Sequence, residues 1–264
     1  VSQTELTTEI HRAANLLLDS RWVVALTGAG MSVESGIPPF RGPGGLWTKY
    51  GEPPMNGFQR FLADPKKAWE ERLNPQGPMR ELWKTLENAR PNPGHHALVQ
   101  LEQWDVLRHT ITQNVDNLHR VAGNRRLSEI HGNATLVRCL DCVRRYAREE
   151  IDTRQLPPAC PHCGGLLKSD TVSFGEPIPP DVLAECEQAT ERCDCMILAG
   201  TSATVYPAAQ FPIDVQRRGG KLIEVNLYES ELSPACAISL RGPSGSVLPK
   251  LAEAVQALRS QRGH

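Results

Sequence analysis

Four of the eight cysteines stand as two C-x-x-C pairs, Cys139/Cys142 and Cys160/Cys163, with seventeen residues between the pairs. This spacing predicts a four-thiolate tetrahedral zinc site, and four protein ligands leave no open position for water, so its role is structural. Pro161 and Gly164-Gly165 supply the tight turns of a metal knuckle, and Arg138, Arg144 and Arg145 offset the charge of the centre. His162 lies inside the second pair, where a fifth ligand is not required. A different chemistry is offered by Thr27-Gly28-Ala29-Gly30. Without Cβ atoms, Gly28 and Gly30 let backbone N–H groups approach a phosphate, and the start of a following helix favours its negative charge. The dinucleotide fingerprint is incomplete, because the third glycine is Gly36 and no acidic residue ends a second strand about 20 residues on. Gln113, Asn114 and Asp116 form a third set, two amides and a carboxylate at the end of an apolar run. His131 closes another run, Leu127 to Ile130, and an imidazole there has the unperturbed pKa of a general base near neutrality.

These side chains need elements to hold them. Leu6, Ile10, Ala13, Ala14, Leu17 and Leu18 fall at helical spacing, which predicts an opening helix over residues 4–19. Trp22 to Leu26 is a short, continuously apolar run bounded by Thr27-Gly28, the pattern of a strand buried on both faces, and similar runs recur at 106–111, 195–199 and 221–225. Between the last two, Pro207 to Arg218 has helical spacing, so strand, helix and strand imply a right-handed crossover in a parallel sheet. The expected fold class is α/β, a Rossmann-like parallel sheet with helices on both faces, built from residues 1–137 and 172–264. A Pro- and Gly-rich helical insertion at about 42–95 carries helical stretches around Phe58 to Leu73 and Met79 to Asn88. The cysteine pairs lie in a small zinc-ribbon module, 138–171, too poor in apolar runs to bury a core without a metal. Gly200, Thr201 and Ser202 follow one strand and Asn226 ends another, so they converge with the glycine loop on the carboxyl edge of the sheet, where such sheets bind ligands. Cys186, Cys193, Cys195 and Cys236 lack ligand spacing and read as buried apolar fillers.

Composition narrows the partners. Hydrophobic residues at 40% and charged residues at 22% describe a globular chain rather than a disordered, fibrous or coiled-coil one. Lys plus Arg (29) against Asp plus Glu (30) leaves no broad basic field, so direct nucleic-acid binding is not expected. An amphipathic start and no long apolar stretch predict neither signal peptide nor membrane association, and the cysteine usage predicts a reducing, cytoplasmic location.

GAGMSVESGIPPFRG, TQNVDNLH, EIHG, the paired C-x-x-C, FGE at 174–176 and GTS at 200–202 occur in the order of the sirtuin family. The chain resembles that family from Trp22 to about Leu251, and most of all its prokaryotic and mitochondrial-type members with a compact zinc module. The resemblance implies an enzyme that uses NAD to remove acyl groups from lysine in protein or peptide substrates. Nicotinamide leaves as the acyl oxygen attacks the ribose, and the products are free lysine and O-acyl-ADP-ribose. It further implies that Gly28, Ala29 and Gly30 form the diphosphate loop, with Phe40 and Arg41 on a mobile segment over the nicotinamide ribose. Gln113, Asn114 and Asp116 would hold ribose and carboxamide, Asn114 sharing the catalytic centre with the base His131. Gly200, Thr201, Ser202, Asn226 and Ser244 would contact the adenosine half, while Phe174, Gly175 and Tyr206 would line the acyl-lysine tunnel.

Two departures bear on substrate. Where the family commonly has an aromatic residue before FGE, this chain has Ser173. Relatives that favour succinyl- or malonyl-lysine carry a Tyr-x-x-Arg pair after a tryptophan. Counting from Trp69, those two positions are Arg72 and Pro75, with Glu70 and Glu71 beside them, so a neutral acyl group is expected. Two other readings compete: a mono-ADP-ribosyltransferase, which would use the same activated ribose, and a non-enzymatic zinc-ribbon binding module. The latter leaves Gln113, Asn114, Asp116 and His131 without a role.

Overall fold

Strands that are apolar at every position need two apolar faces to bury them, and the fold provides both. The computed structural model describes residues 3–42 and 44–263. Its strands are β1 (Val23–Thr27), β2 (Leu107–Thr112), β3 (Leu127–Glu129), β4 (Leu136–Cys139), β5 (Arg145–Ala147), β6 (Leu167–Ser169), β7 (Cys195–Ala199), β8 (Lys221–Asn226) and β9 (Ile238–Arg241). Six of them form one parallel sheet in the order β3-β2-β1-β7-β8-β9. Alternate residues of β1 divide between two cores. Val23 and Ala25 pack with the helices Gln3–Asp19, Pro93–Gln103 and Ser244–Arg262, whereas Val24 and Leu26 pack with Pro180–Arg192 and Gln210–Arg217. In β2 the register slips, Val23 pairing with Leu107 but Val24 with His109. The extra residue changes the parity of the strand, so that Leu107 lies in the first core and Ile111 in the second.

From β1 the chain builds outward through β2 and β3 on one side, and from β7 through β8 and β9 on the other. The order therefore reverses between β1 and β7, which is where a parallel sheet opens a crevice at its carboxyl edge. Local structure departs from expectation in four places. The turn after β1 is a 3-10 helix, Ala29–Ser35, closed by Gly36 at φ 89°. The stretch Phe58 to Leu73 divides into Gly57–Ala63 and Pro65–Leu73, because Pro65 has no N–H to continue the first helix and the Asp64 side chain caps the second by accepting from Lys67 N (3.0 Å). The helix expected from Pro207 begins at Gln210, and β9, a short edge strand, had no continuous apolar run to announce it.

The strands β5-β4-β6 form a separate antiparallel sheet around the cysteine pairs. Its core is not self-sufficient. Val137, Cys139, Ile151, Cys160 and Leu167 pack around Trp69 from the helix Pro65–Leu73, with Phe61 and Leu73 at the margin, and Trp69 Nε1 donates to Leu167 O (2.9 Å). No helix among the described residues is long and apolar enough to cross a membrane.

Candidate functional site

The glycine loop and the loop after β7 interlock before any ligand is considered. Gly28 N donates to Ala199 O (3.1 Å) and Gly30 N to Gly200 O (2.8 Å). A Cβ on Gly28 would sit 2.8 Å from Thr201 Cβ, and one on Gly30 2.8 Å from Gly200 Cα, while Gly200 itself adopts φ 60°. These glycines are needed for backbone to pass backbone, whatever ligand the loop receives.

The polar ends of β2 and β8 close on the same crevice. Asn114 Nδ2 donates to Gly28 O (3.0 Å) and Ser32 Oγ (3.1 Å), which spends both amide hydrogens and leaves Oδ1 to accept from a hydroxyl. Ser32 in turn donates to Asp116 Oδ2 (2.7 Å), whose Oδ1 accepts from Leu118 N (2.9 Å). Gln113 Nε2 donates to Thr201 Oγ1 (2.8 Å), and Asn226 Nδ2 to Thr201 O (2.8 Å) and Glu224 Oε1 (3.1 Å). His131 Nδ1 lies 3.1 Å from Gln113 O. A carbonyl only accepts, so Nδ1 carries the proton and Nε2 keeps its lone pair. Burial pushes this imidazole below its usual pKa of 6.5, the Gln113 carbonyl acting in the opposite direction, so the free base predominates near neutrality.

Phe40 and Arg41 lie over an aromatic residue of the helix Leu46–Tyr50 that no periodicity singles out. The Phe40 and Trp47 ring centroids are 5.1 Å apart, the Arg41 guanidinium is 4.5 Å from the Trp47 ring, and Trp47 reaches Phe174 at 5.9 Å. Its signal in the sequence is only a lone tryptophan after Gly44-Gly45. Phe174 and Gly175 are held by the insertion, Phe58 N donating to Phe174 O (3.0 Å). Not every expected residue joins this set. Ser202 is exposed and pairs with Thr204 (3.0 Å), Tyr206 is 65% exposed, and Ser244 is buried at the start of the last helix against Gly94.

In the small sheet the four Sγ atoms of Cys139, Cys142, Cys160 and Cys163 lie within 4.8 Å of one another. The Cys139–Cys163 and Cys142–Cys160 separations are 3.5 and 3.7 Å. A tetrahedron with Zn–S bonds of about 2.3 Å has edges of about 3.8 Å, so the four thiolates fit zinc and leave no vacant vertex.

The model of the Sir2 family matches residues 28–207, more than half of the chain. The chain belongs to the Sir2 family. Among its relatives, an "NAD-dependent protein deacylase" of Thermococcus kodakarensis is 44% identical over 262 residues, covering 97% of this chain and 99% of the relative. An "NAD-dependent protein deacetylase" of Caldivirga maquilingensis is 40% identical over 225 residues, 84% of each chain. A solved Sir2 homolog–NAD complex superposes with a TM-score of 0.76 at 40% identity, covering 98% of this chain and 95% of that one. A Sir2–p53 peptide–NAD+ complex does so with 0.71 at 33% identity over 94% and 96%. Within this Sir2 fold, sequence reasoning missed Trp47 and Ser32, and also Thr112, whose Oγ1 accepts from Asn114 N (3.1 Å) and so fixes the backbone of the amide set.

Proposed function

We propose that this protein is an NAD-dependent lysine deacylase acting on acyl-lysine peptides and proteins, with His131 as its base. The observation that carries the assignment is the His131 Nδ1 contact to the Gln113 carbonyl, which leaves Nε2 unprotonated and ties the imidazole to the residue next to Asn114. NAD, when bound, supplies an activated ribose carbon from which nicotinamide departs. Gly28, Ala29 and Gly30 would hold its diphosphate, Gln113, Asn114 and Asp116 its ribose and carboxamide, and Thr201 and Asn226 its adenosine half. Phe40 and Arg41 cover the site and exclude water, which otherwise competes for the same carbon. His131 takes a hydroxyl proton at Nε2, a contribution of about 10² to 10⁴ in rate. Residues 138–171 serve as a structural zinc module in a Rossmann-like domain formed by 1–137 and 172–264. A cytoplasmic location belongs to the same reading, supported by the paired C-x-x-C spacing of a reduced, metal-binding protein. Incubation with NAD and an acetyl-lysine peptide should release nicotinamide in step with deacetylation. A product carrying an added ADP-ribose mass instead would make the protein a mono-ADP-ribosyltransferase.

The rate should depend on pH in one direction on the acid side. His131 must be neutral to act, and its pKa lies below 6.5, so kcat/KM should stay level above about pH 6.5 and fall as pH drops through the lowered value. An acid limb beginning above pH 7 would place the base elsewhere.

The acyl group should be neutral. Arg72, at the position where acid-selective relatives have tyrosine, donates from Nη2 to Ala134 O (2.9 Å) and stacks 4.6 Å from the Trp83 ring centroid. Its Nη2 and one face of the guanidinium are occupied, and swinging out to meet an acyl carboxylate would break both contacts. Acetyl-lysine peptide should therefore exceed succinyl-lysine peptide in kcat/KM, and the reverse order would show that Arg72 swings out of this contact.

A further inference from the structure

The residues Arg138 on β4 and Lys168 on β6 are direct cross-strand partners, with side chains only 6% and 4% exposed. Two like charges opposite one another in a buried ladder are destabilising unless something bridges them. The bridge comes from outside the small sheet. Glu176, whose side chain is 2% exposed, accepts from Arg138 Nη2 at Oε1 (2.5 Å) and lies 2.8 Å from Lys168 Nζ at Oε2. The same Oε2 accepts from Ser173 N (2.8 Å), and Glu176 N donates back to Ser173 O (3.0 Å), so one carboxylate closes the turn Ser173–Glu176 and pins it to two strands. Lys168 also donates to Thr171 O (2.6 Å), and Arg138 Nε lies 3.2 Å from Asp170, whose Oδ2 accepts from Asn133 N (3.1 Å). Two residues beyond Asp170, Val172 N donates to His131 O (2.8 Å).

We infer that Glu176 is a positioning residue for acyl-peptide binding, fastening the loop that carries Phe174 and Gly175 to the zinc module through Arg138 and Lys168. The inference rests on the deacylase reading of this site. Its physical basis is that a buried ionic cluster is a poor way to gain stability, since well-packed apolar groups of the same volume do as well or better, but a strict way to fix geometry. The geometry fixed here is that of residues 173–176. Without the carboxylate charge, Ser173 N and two cations lose their common acceptor, and the loop is left with Phe58 N on Phe174 O, Gln59 Nε2 on Gly175 O (3.4 Å) and Trp47 against Phe174. The crevice that receives NAD is built from β1, β2, β7 and β8 and shares no hydrogen bond with Glu176, so the two ligands should respond differently.

Glu176→Gln, which keeps the shape, and Lys168→Met, which removes one cation from the module side, are to be compared with the parent protein. Steady-state kinetics on acetyl-lysine peptide and NAD, zinc content and hydrogen exchange at residues 173–176 are the readouts. The expected result is a peptide KM raised about tenfold or more with NAD KM within about twofold, zinc retained, and faster exchange confined to the loop. The double variant should be no worse than the worse single one, because both break the same link. Peptide KM within about twofold of the parent in either folded variant overturns the inference while leaving the deacylase reading intact. So does a joint rise of both KM values with loss of zinc, which is what a merely structural role predicts. A parent protein that releases no nicotinamide with the acyl peptide overturns the deacylase reading itself and this inference with it.

Discussion

His131→Ala is expected to lower kcat by about two orders of magnitude or more while NAD affinity changes little. The division follows from the hydrogen bonds. His131 is tied to the backbone oxygen of Gln113 and to no side chain of the amide set, whereas the groups assigned to the cofactor are oriented by one another: Asn114 by Gly28 and Ser32, Asp116 by Ser32 and Leu118, Gln113 by Thr201. Removing the imidazole takes away the proton acceptor and leaves those orientations standing. Calorimetric titration with NAD, set beside single-turnover deacetylation, separates the two quantities. A variant that turns over at nearly the parent rate would disqualify His131 as the base, and one that no longer binds NAD would make it a structural residue.

Loss of zinc should have the other large effect, and it should reach beyond the module. Elemental analysis should find one zinc per chain, and Cys139→Ala or Cys163→Ala should abolish it. Structural zinc sites contribute free energy on the order of 10 kcal/mol to ordering their ligands, far more than three short strands supply alone. Because Trp69 of the helix Pro65–Leu73 is the centre of the module's core and only 2% exposed, that helix should loosen with it. Tryptophan emission should shift to the red on chelation, and hydrogen exchange should rise over both segments. A well-folded sample without zinc, or a chelated one with Trp69 still buried, would contradict the assignment.

The strands were legible where burial on both faces made them continuously apolar. Cys195 to Ala199 is read to the residue, and β1 and β2 are each read one residue early because Thr27 and Thr112, polar but buried, stay in the ladder. The gathering of the four paired cysteines was legible because their spacing is local. The interlock of Gly28 and Gly30 with Gly200 was not, since a glycine's neighbour across a sheet leaves no mark on the sequence around it. The cluster of Arg138, Lys168 and Glu176 escaped for the same reason: its members come from three segments, and Arg138, expected to offset the charge of the metal centre, pairs instead with Asp170 and Glu176. The division of the insertion helix at Asp64-Pro65 could have been read, as an N-cap residue followed by proline is a start signal.

Trp47 touches Phe40 and Arg41 on one side and Phe174 on the other, so the cover proposed for the cofactor and the loop proposed for the acyl group would share one wall. A ligand that changes the packing on either side of this ring changes the surface met by the second ligand. Thermodynamic reciprocity then binds the two events: whatever factor NAD imposes on the peptide's affinity, the peptide imposes on that of NAD. On the proposed reading, a single indole would let the binding of each substrate be felt at the site of the other.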